Sequence, residues 1–284
     1  MWRLMLAGSL IAAPCAQALA WGDDGHRIVC EIAMLEMAPT TRAEVEALIA
    51  TDQQFASYPD ACTWADHPRK RDDEHYVNLT RDAADLGAEP CPLADRCVVS
   101  SIDKDMAVLS SPTAGEVPRL MALKYLGHFT GDLHQPLHVS FQDDLGGNRV
   151  DTSGLCDGNL HSAWDTCLLR KAVGSDPLAA AFALEAEITE ADRTVWVTTG
   201  PQDWANESFA IATAPATAYC VAEDGGCSYA PDNVEWDQGE PKRKVVIDAA
   251  YVAAATPIIR DRVKRAGVRL AHLLDKALAD QALR

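Results

Sequence analysis

Two histidine–aspartate pairs have a spacing that suits metal binding. His128 precedes Asp132 by four residues, and His161 precedes Asp165 by four. Residues four apart lie on one face of a helix, so each pair can direct an imidazole and a carboxylate at the same ion. A single pair of this kind is more often a surface ion pair. Two pairs, with His138 close to the first, favour more than one metal ion.

The segment WGDDGH, from Trp21 to His26, offers a further set of donors. Before it stand a basic Arg3, an apolar stretch over 4–13 and a small-residue ending over 18–20, which is typical of a cleavable export signal. Cleavage after residue 20 would free the α-amino group of Trp21 beside its own carbonyl. An amine with a pKa of about 8 loses its proton readily to a cation. We therefore predict a signal peptide at 1–20 and one mature domain over 21–284.

The elements that must position these donors read as helices. Apolar periodicity predicts helices over about 24–50 with an interruption at Pro39, 116–141 with a kink at Pro136, 160–169, 177–192, 201–215, and 245–283 with a break near Pro257. Residues 52–100 are rich in Pro, Asp and Cys, which indicates irregular structure with one short hairpin around His75–Val77. Residues 219–243 read as a disulfide-bearing excursion. With no repeat or flexible linker, the prediction is a single all-α domain.

Eight cysteines remain after Cys15 is removed with the signal, an even number in an exported chain. An oxidising compartment favours disulfides over a thiolate metal site, so we expect four disulfides that staple loops. The pairing stays open, although Cys91 with Cys97 and Cys220 with Cys227 can close short local loops.

The charge balance excludes an extended grip on duplex DNA. The mature chain has 42 Asp and Glu against 24 Lys and Arg, which is 25 less Arg3, so its formal charge is −18. An acidic surface repels a polyanion, whereas proteins that hold duplex DNA through many phosphates carry the opposite sign. A nucleic-acid substrate must therefore be recognised locally, at bound cations and a few bases. No segment is long and apolar enough to anchor the chain in a membrane, since a span needs ~18 apolar residues.

Six segments together resemble the signature blocks of the fungal and plant single-strand-specific zinc nucleases. They are WGDDGH at 21–26, WAD at 64–66, HYVN at 75–78, GHFTGDLHQPLH at 127–138, GGN at 146–148 and NLHSAWD at 159–165. They occur in the order of that family, and the rest of the chain matches only as helical scaffold. The resemblance implies the helical fold that these nucleases share with bacterial zinc phospholipases C, with long disulfide-stapled loops.

The resemblance implies three Zn²⁺ ions and nine ligands. Asp66, His75, His128 and Asp132 would hold one zinc; Asp132 would bridge to a second, bound also by His26 and by the amine and carbonyl of Trp21; His138, His161 and Asp165 would hold the third. Imidazole and carboxylate donors suit zinc independently of any resemblance, and sites with few protein ligands leave positions for water and substrate. His67, His134 and His272 stay outside this set, and we expect His134 to orient a neighbouring ligand.

The same resemblance assigns residues to the reaction. Arg69 would act with Asp66 and Asp132 in catalysis, its guanidinium holding the charge that develops on the phosphate. As part of the run Arg69–Arg71 it reads equally well as an exposed charge. Tyr76, Asn78 and Asn148 would stack on and hydrogen-bond one base. Asn78 stands where the family carries aspartate, and an amide both donates and accepts, so base preference is expected to differ.

The predicted function is hydrolysis of single-stranded RNA and DNA to 5′-mononucleotides, together with removal of 3′-phosphates from nucleotides. The enzyme would be a secreted or periplasmic monomer without an obligate protein partner. The alternative is a zinc phospholipase C, but that branch carries His-x-x-x-Glu where this chain has His161 and Asp165. A non-catalytic exported zinc-binding protein is a third possibility, and the retention of all nine ligand types argues against it.

Overall fold

In a computed structural model the chain is mostly helical, which confirms the predicted fold class. The structure describes residues 21–223, 226–229 and 234–279; the predicted signal peptide lies outside them. The helices are α1 (Asp23–Glu36), α2 (Pro39–Ile49), α3 (Tyr58–Ala61), α4 (Val98–Ser110), α5 (Glu116–His134), α6 (Leu160–Ser162), α7 (Leu169–Val173), α8 (Pro177–Glu185), α9 (Glu190–Trp196), α10 (Pro201–Ala212) and α11 (Ala249–Leu278). Short 3₁₀ turns lie at Asp72–Glu74, Pro136–His138 and Pro215–Thr217, and a π-helical segment at Ala163–Leu168 joins α6 to α7.

Helix α5 forms the centre of the domain. From Ala122 to His134 every one of its residues is buried, because α1, α4, α10 and α11 all pack against it. A helix surrounded in this way can carry polar side chains only where they have partners inside the protein. The histidines and the aspartate of its last two turns therefore face other residues rather than solvent. None of the helices in the described ranges combines the length and the apolar character needed to cross a bilayer.

The strands are short, and one of them corrects the sequence prediction. They are β1 (Val77–Leu79), β2 (Val139–Phe141), β3 (Asp151–Gly154), β4 (Gly158–Asn159), β5 (Val221–Glu223), β6 (Gly226–Ser228), β7 (Val234–Asp237) and β8 (Glu240–Ile247). The hairpin predicted around His75–Val77 is wrong, since β1 pairs in parallel with β2, Val77 opposite Val139. A parallel pair needs a long crossover, here helices α4 and α5. Strands β5 and β6 form a hairpin, and the remaining sheet has the order β4-β3-β8-β7.

Two of the predicted helices end earlier than expected. The helix through 116–141 does not kink at Pro136 but ends at His134, where Gln135 takes an extended conformation. A residue before proline is pushed out of the helical region, so the chain turns into β2 instead. The single helix predicted at 177–192 is two, because Thr189 caps a new helix by accepting a hydrogen bond from the amide of Asp192. The interruption predicted at Pro39 is confirmed.

The C-terminal prediction also needs correction. Helix α11 begins only at Ala249, where Asp248 caps it through the amide of Tyr251 at 2.8 Å, and the residues before it form β8. It then continues through Pro257 without a break. Pro257 and the residue four before it, Ala253, both face solvent, so water can satisfy the carbonyl that the proline leaves without a donor.

Four disulfides are present among the described residues, as predicted, and both local loops are among them. The pairs are Cys30–Cys62, Cys91–Cys97, Cys156–Cys167 and Cys220–Cys227. The pair Cys30–Cys62 ties α1 to the loop after α3, and so constrains the segment that leads to Asp66. The pair Cys220–Cys227 closes the hairpin of β5 and β6.

Candidate metal centre and active site

The first residues of the predicted mature chain lie inside the protein. Trp21 is fully buried, and the amide of Gly22 donates a hydrogen bond to the carbonyl of Asp165 at 2.9 Å. Helix α1 starts at once, so its first turn carries His26 inward, stacked on His128 with ring centroids 3.9 Å apart. Gly131 of α5 makes room for this ring, since a Cβ there would lie 2.8 Å from His26 Nδ1. The chain start and α5 thus meet at one point.

Asp132 lies where the first residues of the mature chain meet α5, and it is fully buried among imidazoles. Its Oδ1 lies 3.4 Å from His26 Nε2, and its Oδ2 lies 3.0 Å from His75 Nδ1 and 3.4 Å from His128 Nε2. The two oxygens therefore face different sets of nitrogens. A carboxylate in this arrangement is able to bridge two cations.

The irregular segment before β1 supplies the other donors on the Oδ2 side. Asp66 Oδ1 is 3.7 Å from His75 Nδ1, and Asp66 Oδ2 is 3.6 Å from His128 Nε2. His75 lies two residues before β1, and its side chain is fully buried. These residues form one cluster of potential metal ligands, and His26, His128 and Asp132 form a second. His128 lies within reach of both.

A third cluster is built by the turn after α5 and by the segment around α6. His138 Nε2 lies 3.1 Å from His161 Nε2, and His161 Nε2 lies 3.6 Å from Asp165 Oδ2. Helix α6 begins at Leu160, capped by Asn159, which accepts a hydrogen bond from the amide of Ser162. The cap fixes the start of the helix, so the four-residue spacing brings both side chains to one face, as the sequence predicted.

Four of the five clustered imidazoles are held by backbone carbonyls. His75 Nε2 donates to the carbonyl of Lys70 at 2.8 Å, His128 Nδ1 to Cys62 at 2.8 Å, His138 Nδ1 to His75 at 2.7 Å and His161 Nδ1 to Gly146 at 2.7 Å. A carbonyl only accepts, so in each ring this nitrogen carries the hydrogen, and the other presents its lone pair to the cluster. Metal-binding histidines are usually held in this way.

The buried polar atoms that lack a hydrogen-bond partner test whether a metal ion fits here. Among the described residues, the buried carboxylate oxygens without a hydrogen-bond partner are Asp66 Oδ1, both oxygens of Asp132 and Asp165 Oδ2. Both ring nitrogens of His26 also lack one. Buried polar atoms normally have partners, and buried charges are paired or bind metals. All these atoms belong to the three clusters, so the residues present fit divalent cations.

Burial also sets the protonation of these groups. It lowers the pKa of His75 to about 4, where the charge of Arg69 acts in the same direction, and it lowers the pKa of His161 to about 4. Both imidazoles are therefore neutral at pH 7, the form that binds a metal. Burial raises the pKa of Asp132 and of Asp165 well above the ordinary value. A cation beside these carboxylates would offset that effect by stabilising their charged form.

Of the residues predicted to contact substrate, Arg69 acts electrostatically on two cluster histidines, and Tyr76 and Asn78 share a cavity. The Arg69 side chain is mostly buried, with Nε 4.0 Å from Asp72 Oδ1, and its charge contributes to the low pKa of both His75 and His161. Tyr76 and Asn78 line one cavity of about 590 Å³. Asn148 is not among the described residues of its lining, and its amide donates instead to the carbonyl of Leu145 at 2.7 Å.

The other histidines remain outside the clusters, as predicted, although the role expected of His134 is wrong. His67 is exposed and pairs with Asp23 at 2.7 Å, and His272 is exposed. His134 Nδ1 donates to the carbonyl of Thr130, and its Nε2 accepts from Arg269 at 3.0 Å. Its hydrogen bonds thus connect α5 to α11 rather than to a cluster residue.

Sequence analysis missed two buried polar residues, Gln135 and Asp144. Gln135 donates from Nε2 to Asp165 Oδ1 at 2.5 Å and accepts at Oε1 from the amide of Leu137. Its position between His134 and Pro136, inside the GHFTGDLHQPLH block, was the available signal. Asp144 is fully buried below the GGN turn, and nothing in its sequence context distinguishes it from the adjacent Asp143.

The helical fold and its three adjoining His/Asp clusters define a protein built to bind divalent metal ions. Residues 21–279 match the family model described as S1/P1 Nuclease. Endonuclease 4 of Arabidopsis thaliana is 30% identical, over 93% of this chain and 91% of its own. Endonuclease 2 of Arabidopsis thaliana is 28% identical, over 94% and 93%, and Nuclease S1 of Aspergillus oryzae is 28% identical, over 96% and 97%.

The chain belongs to the S1/P1 nuclease family. This confirms the resemblance seen in the six sequence blocks, and with it the assignment of the chain as a nuclease, a hydrolase of ester bonds. The phospholipase C alternative is not favoured, because the relatives named above are all nucleases.

Proposed function

We propose that this protein is an exported nuclease with three Zn²⁺ ions, which cleaves single-stranded RNA and DNA to 5′-mononucleotides and removes 3′-phosphates from nucleotides. It would act as a monomer in the periplasm or outside the cell after residues 1–20 are cleaved. The observation that carries this proposal is the set of buried carboxylate and imidazole atoms that lack hydrogen-bond partners and converge in three clusters.

Each zinc is assigned to one cluster. Asp66, His75, His128 and Asp132 would hold the first; Asp132, His26 and the amine and carbonyl of Trp21 the second; His138, His161 and Asp165 the third. With Zn–N bonds of about 2.0 Å, the edge of a tetrahedral site is about 3.3 Å. The distances between donor atoms around Asp132 run from 3.0 to 3.4 Å, which supports sites of this size.

Zinc ions, when bound, supply Lewis acidity toward phosphoryl oxygens and make a deprotonated water available near neutral pH. The protein side chains supply position and charge. The two oxygens of Asp132 face imidazole nitrogens on opposite sides of the carboxylate, and this carboxylate would set the separation of the first two sites. Asp66 is the least buried of the three clustered aspartates, and its carboxylate would accept a hydrogen bond from the attacking water and so orient it. Arg69 reaches both the first and the third cluster electrostatically and would stabilise the charge that develops on the phosphate.

Substrate selection would depend on the cavity lined by Tyr76, the residue that follows His75. The ring of Tyr76 and the amide of Asn78 both line it, and an aromatic side chain can stack on any unpaired base. Asn148 would add a hydrogen bond from the neighbouring turn. In a duplex the bases are already stacked and paired, so a single strand is the better substrate. The acidic surface works in the same direction, because it disfavours an extended duplex contact.

A substrate panel with a metal count tests the proposal. The purified mature protein is analysed for zinc per chain and then incubated with single-stranded RNA, single-stranded DNA, duplex DNA, a 3′-nucleotide and phosphatidylcholine vesicles. The expected result is three zinc ions per chain, rapid turnover of the single strands and the 3′-nucleotide, and slow turnover of the duplex. Turnover of the lipid alone, or a protein that holds fewer than three zinc ions, would overturn the proposal.

A further inference from the structure

The GGN turn connects two parts of the proposed active site. Gly146 gives its carbonyl to His161 Nδ1 at 2.7 Å, and Asn148, two residues later, carries the amide assigned to base recognition. The turn is tightly constrained: Leu145, Gly146 and Gly147 all have positive φ, at 56°, 65° and 82°. A Cβ on Gly146 would lie 2.6 Å from the carbonyl oxygen of Leu137. A small change in this turn would therefore move a zinc ligand and a substrate contact together.

The buried carboxylate of Asp144 holds this turn through hydrogen bonds. Asp144 Oδ1 accepts a hydrogen bond from the amide of Gly147 at 2.9 Å, and the carbonyl of Asp144 accepts one from the amide of Arg149 at 3.0 Å. The Asp144 side chain is fully buried. Asp144 thus binds the turn on both sides of Asn148, through its side chain and its backbone.

The carboxylate itself is fixed by residues far away in the sequence. Tyr219 donates its hydroxyl to Oδ1 at 2.5 Å, and Oδ2 accepts from the Tyr229 hydroxyl and from Arg81 Nη2, the latter at 2.7 Å. The guanidinium of Arg81 also lies over the rings of Phe141 and Tyr229, 4.0 Å from each centroid. Three donors in addition to the turn amide satisfy both oxygens, so the carboxylate has one orientation.

The two tyrosines flank the hairpin of β5 and β6. Tyr219 and Tyr229 stand on either side of the disulfide Cys220–Cys227, and the amide of Cys227 donates to the carbonyl of Arg81 at 3.0 Å. The disulfide-bearing segment therefore has a structural role beyond the surface. It closes over Asp144 and fixes the orientation of its carboxylate.

We propose that Asp144 is a positioning residue, which holds the GGN turn so that its backbone orients His161 for the third zinc while its Asn148 faces the base. This inference rests on the proposed function for the ion and the base contact, and adds a role for Asp144, Tyr219 and Tyr229. Residues that support a metal ligand in this way change affinity or activity by about 10–100-fold when replaced.

The variant Asp144→Asn tests the inference, with Asp143→Asn as its matched control. The amide that replaces the carboxylate turns an N–H toward either Gly147 or Arg81, both of which only donate. Asp143 is a half-exposed neighbour that also pairs with Arg81, at 3.0 Å, yet no hydrogen bond of its side chain to the turn is found among the described residues. The two variants thus remove the same charge from adjacent positions.

The readouts are zinc retention under graded chelator, and KM and kcat for a single-stranded oligonucleotide. For Asp144→Asn we expect one of the three zinc ions to leave at about 10–100-fold lower chelator concentration, together with a rise in KM. Asp143→Asn should behave as wild type. Tyr229→Phe, which removes one hydroxyl from a half-buried side chain, should change both readouts in the same direction by less, and it decides the matter if Asp144→Asn does not fold.

The inference is overturned if Asp144→Asn, or Tyr229→Phe in its place, retains zinc and substrate affinity as well as Asp143→Asn does. A wild-type protein that holds fewer than three zinc ions would instead contradict the proposed function. The zinc count of the wild type, measured first, keeps the two failures apart.

Discussion

Replacing Gly131 by alanine tests the contact between α1 and α5 at the metal centre. The added Cβ would lie 2.8 Å from His26 Nδ1, whereas ordinary contacts begin at 3.4 Å, so the imidazole must shift by about 0.6 Å. It has little room, because the ring is also stacked on His128, with the two centroids 3.9 Å apart. A site of this kind tolerates displacements of about 0.5 Å. The shift should therefore weaken the zinc assigned to Trp21, His26 and Asp132.

The same substitution should change stability only modestly. Alanine in place of glycine inside a helix stabilises it by about 1 kcal/mol, while overpacking a buried contact costs about 1–3 kcal/mol. The two effects oppose each other, and the net loss is about 0–2 kcal/mol. Activity should therefore fall by about 10–100-fold through the weakened zinc site rather than through unfolding.

The measurement compares Gly131→Ala with Gly200→Ala, whose Cβ would meet nothing within 4 Å. Urea denaturation in the presence of chelator gives the stability of the metal-free chain, elemental analysis gives zinc per chain, and cleavage of single-stranded DNA gives activity. We expect two zinc ions and reduced cleavage for Gly131→Ala, and wild-type values for Gly200→Ala. Three zinc ions with full activity in Gly131→Ala would refute the assignment of His26 as a ligand.

Three further predictions follow from the described contacts. Asp132→Ala should cost two zinc ions, because its oxygens face His26 on one side and His75 and His128 on the other; loss of one ion by elemental analysis would mean that it does not bridge. One extra residue before Trp21 should lower zinc content and activity, since it removes the free amine beside a fully buried side chain; unaltered values would exclude the amine as a ligand. Glu207→Gln should destabilise the fold by about 2–3 kcal/mol at pH 7, because the Glu207 carboxylate pairs with the buried Arg262 and Arg269. The loss is smaller than for a fully buried pair, since Glu207 is partly exposed. Burial alone raises the pKa of Glu207, but these arginines outweigh burial and lower the pKa to about 2. The stabilisation is therefore full above about pH 4.3 and lost toward pH 2. The difference in unfolding free energy between the two proteins, measured in urea, should narrow between pH 7 and pH 2.5, and an unchanged difference would contradict this account.

The chemistry of the centre was accessible from sequence because much of it is local. The spacing of His161 and Asp165 needs only a helix, and Asn159 caps that helix where the pattern predicts its start. The same holds for His128 and Asp132 on α5. How these local pairs combine into three clusters came from the resemblance, since periodicity alone does not bring α1 beside α5.

What the sequence could not predict depends on contacts between distant segments. The pairing of β1 with β2 joins Val77 to Val139, and no local pattern specifies a parallel partner so far away. Asp143 and Asp144 are identical in type and adjacent, yet one is half exposed and the other fully buried. The difference in burial depends on Tyr219 and Tyr229, whose hydroxyls bind the Asp144 carboxylate. The continuation of α11 through Pro257 likewise depends on which side of the helix faces water.

The backbone carbonyls that hold four of the clustered imidazoles have a consequence for the order of events in maturation. Because Lys70, Cys62, His75 and Gly146 orient these rings through the main chain, the rings lose their rotational freedom when the chain folds and not when an ion arrives. Little entropy then opposes loading, and the attraction between ion and donors goes almost entirely into affinity. Folding should precede metallation, and a chain that has been stripped of its ions should reload without refolding.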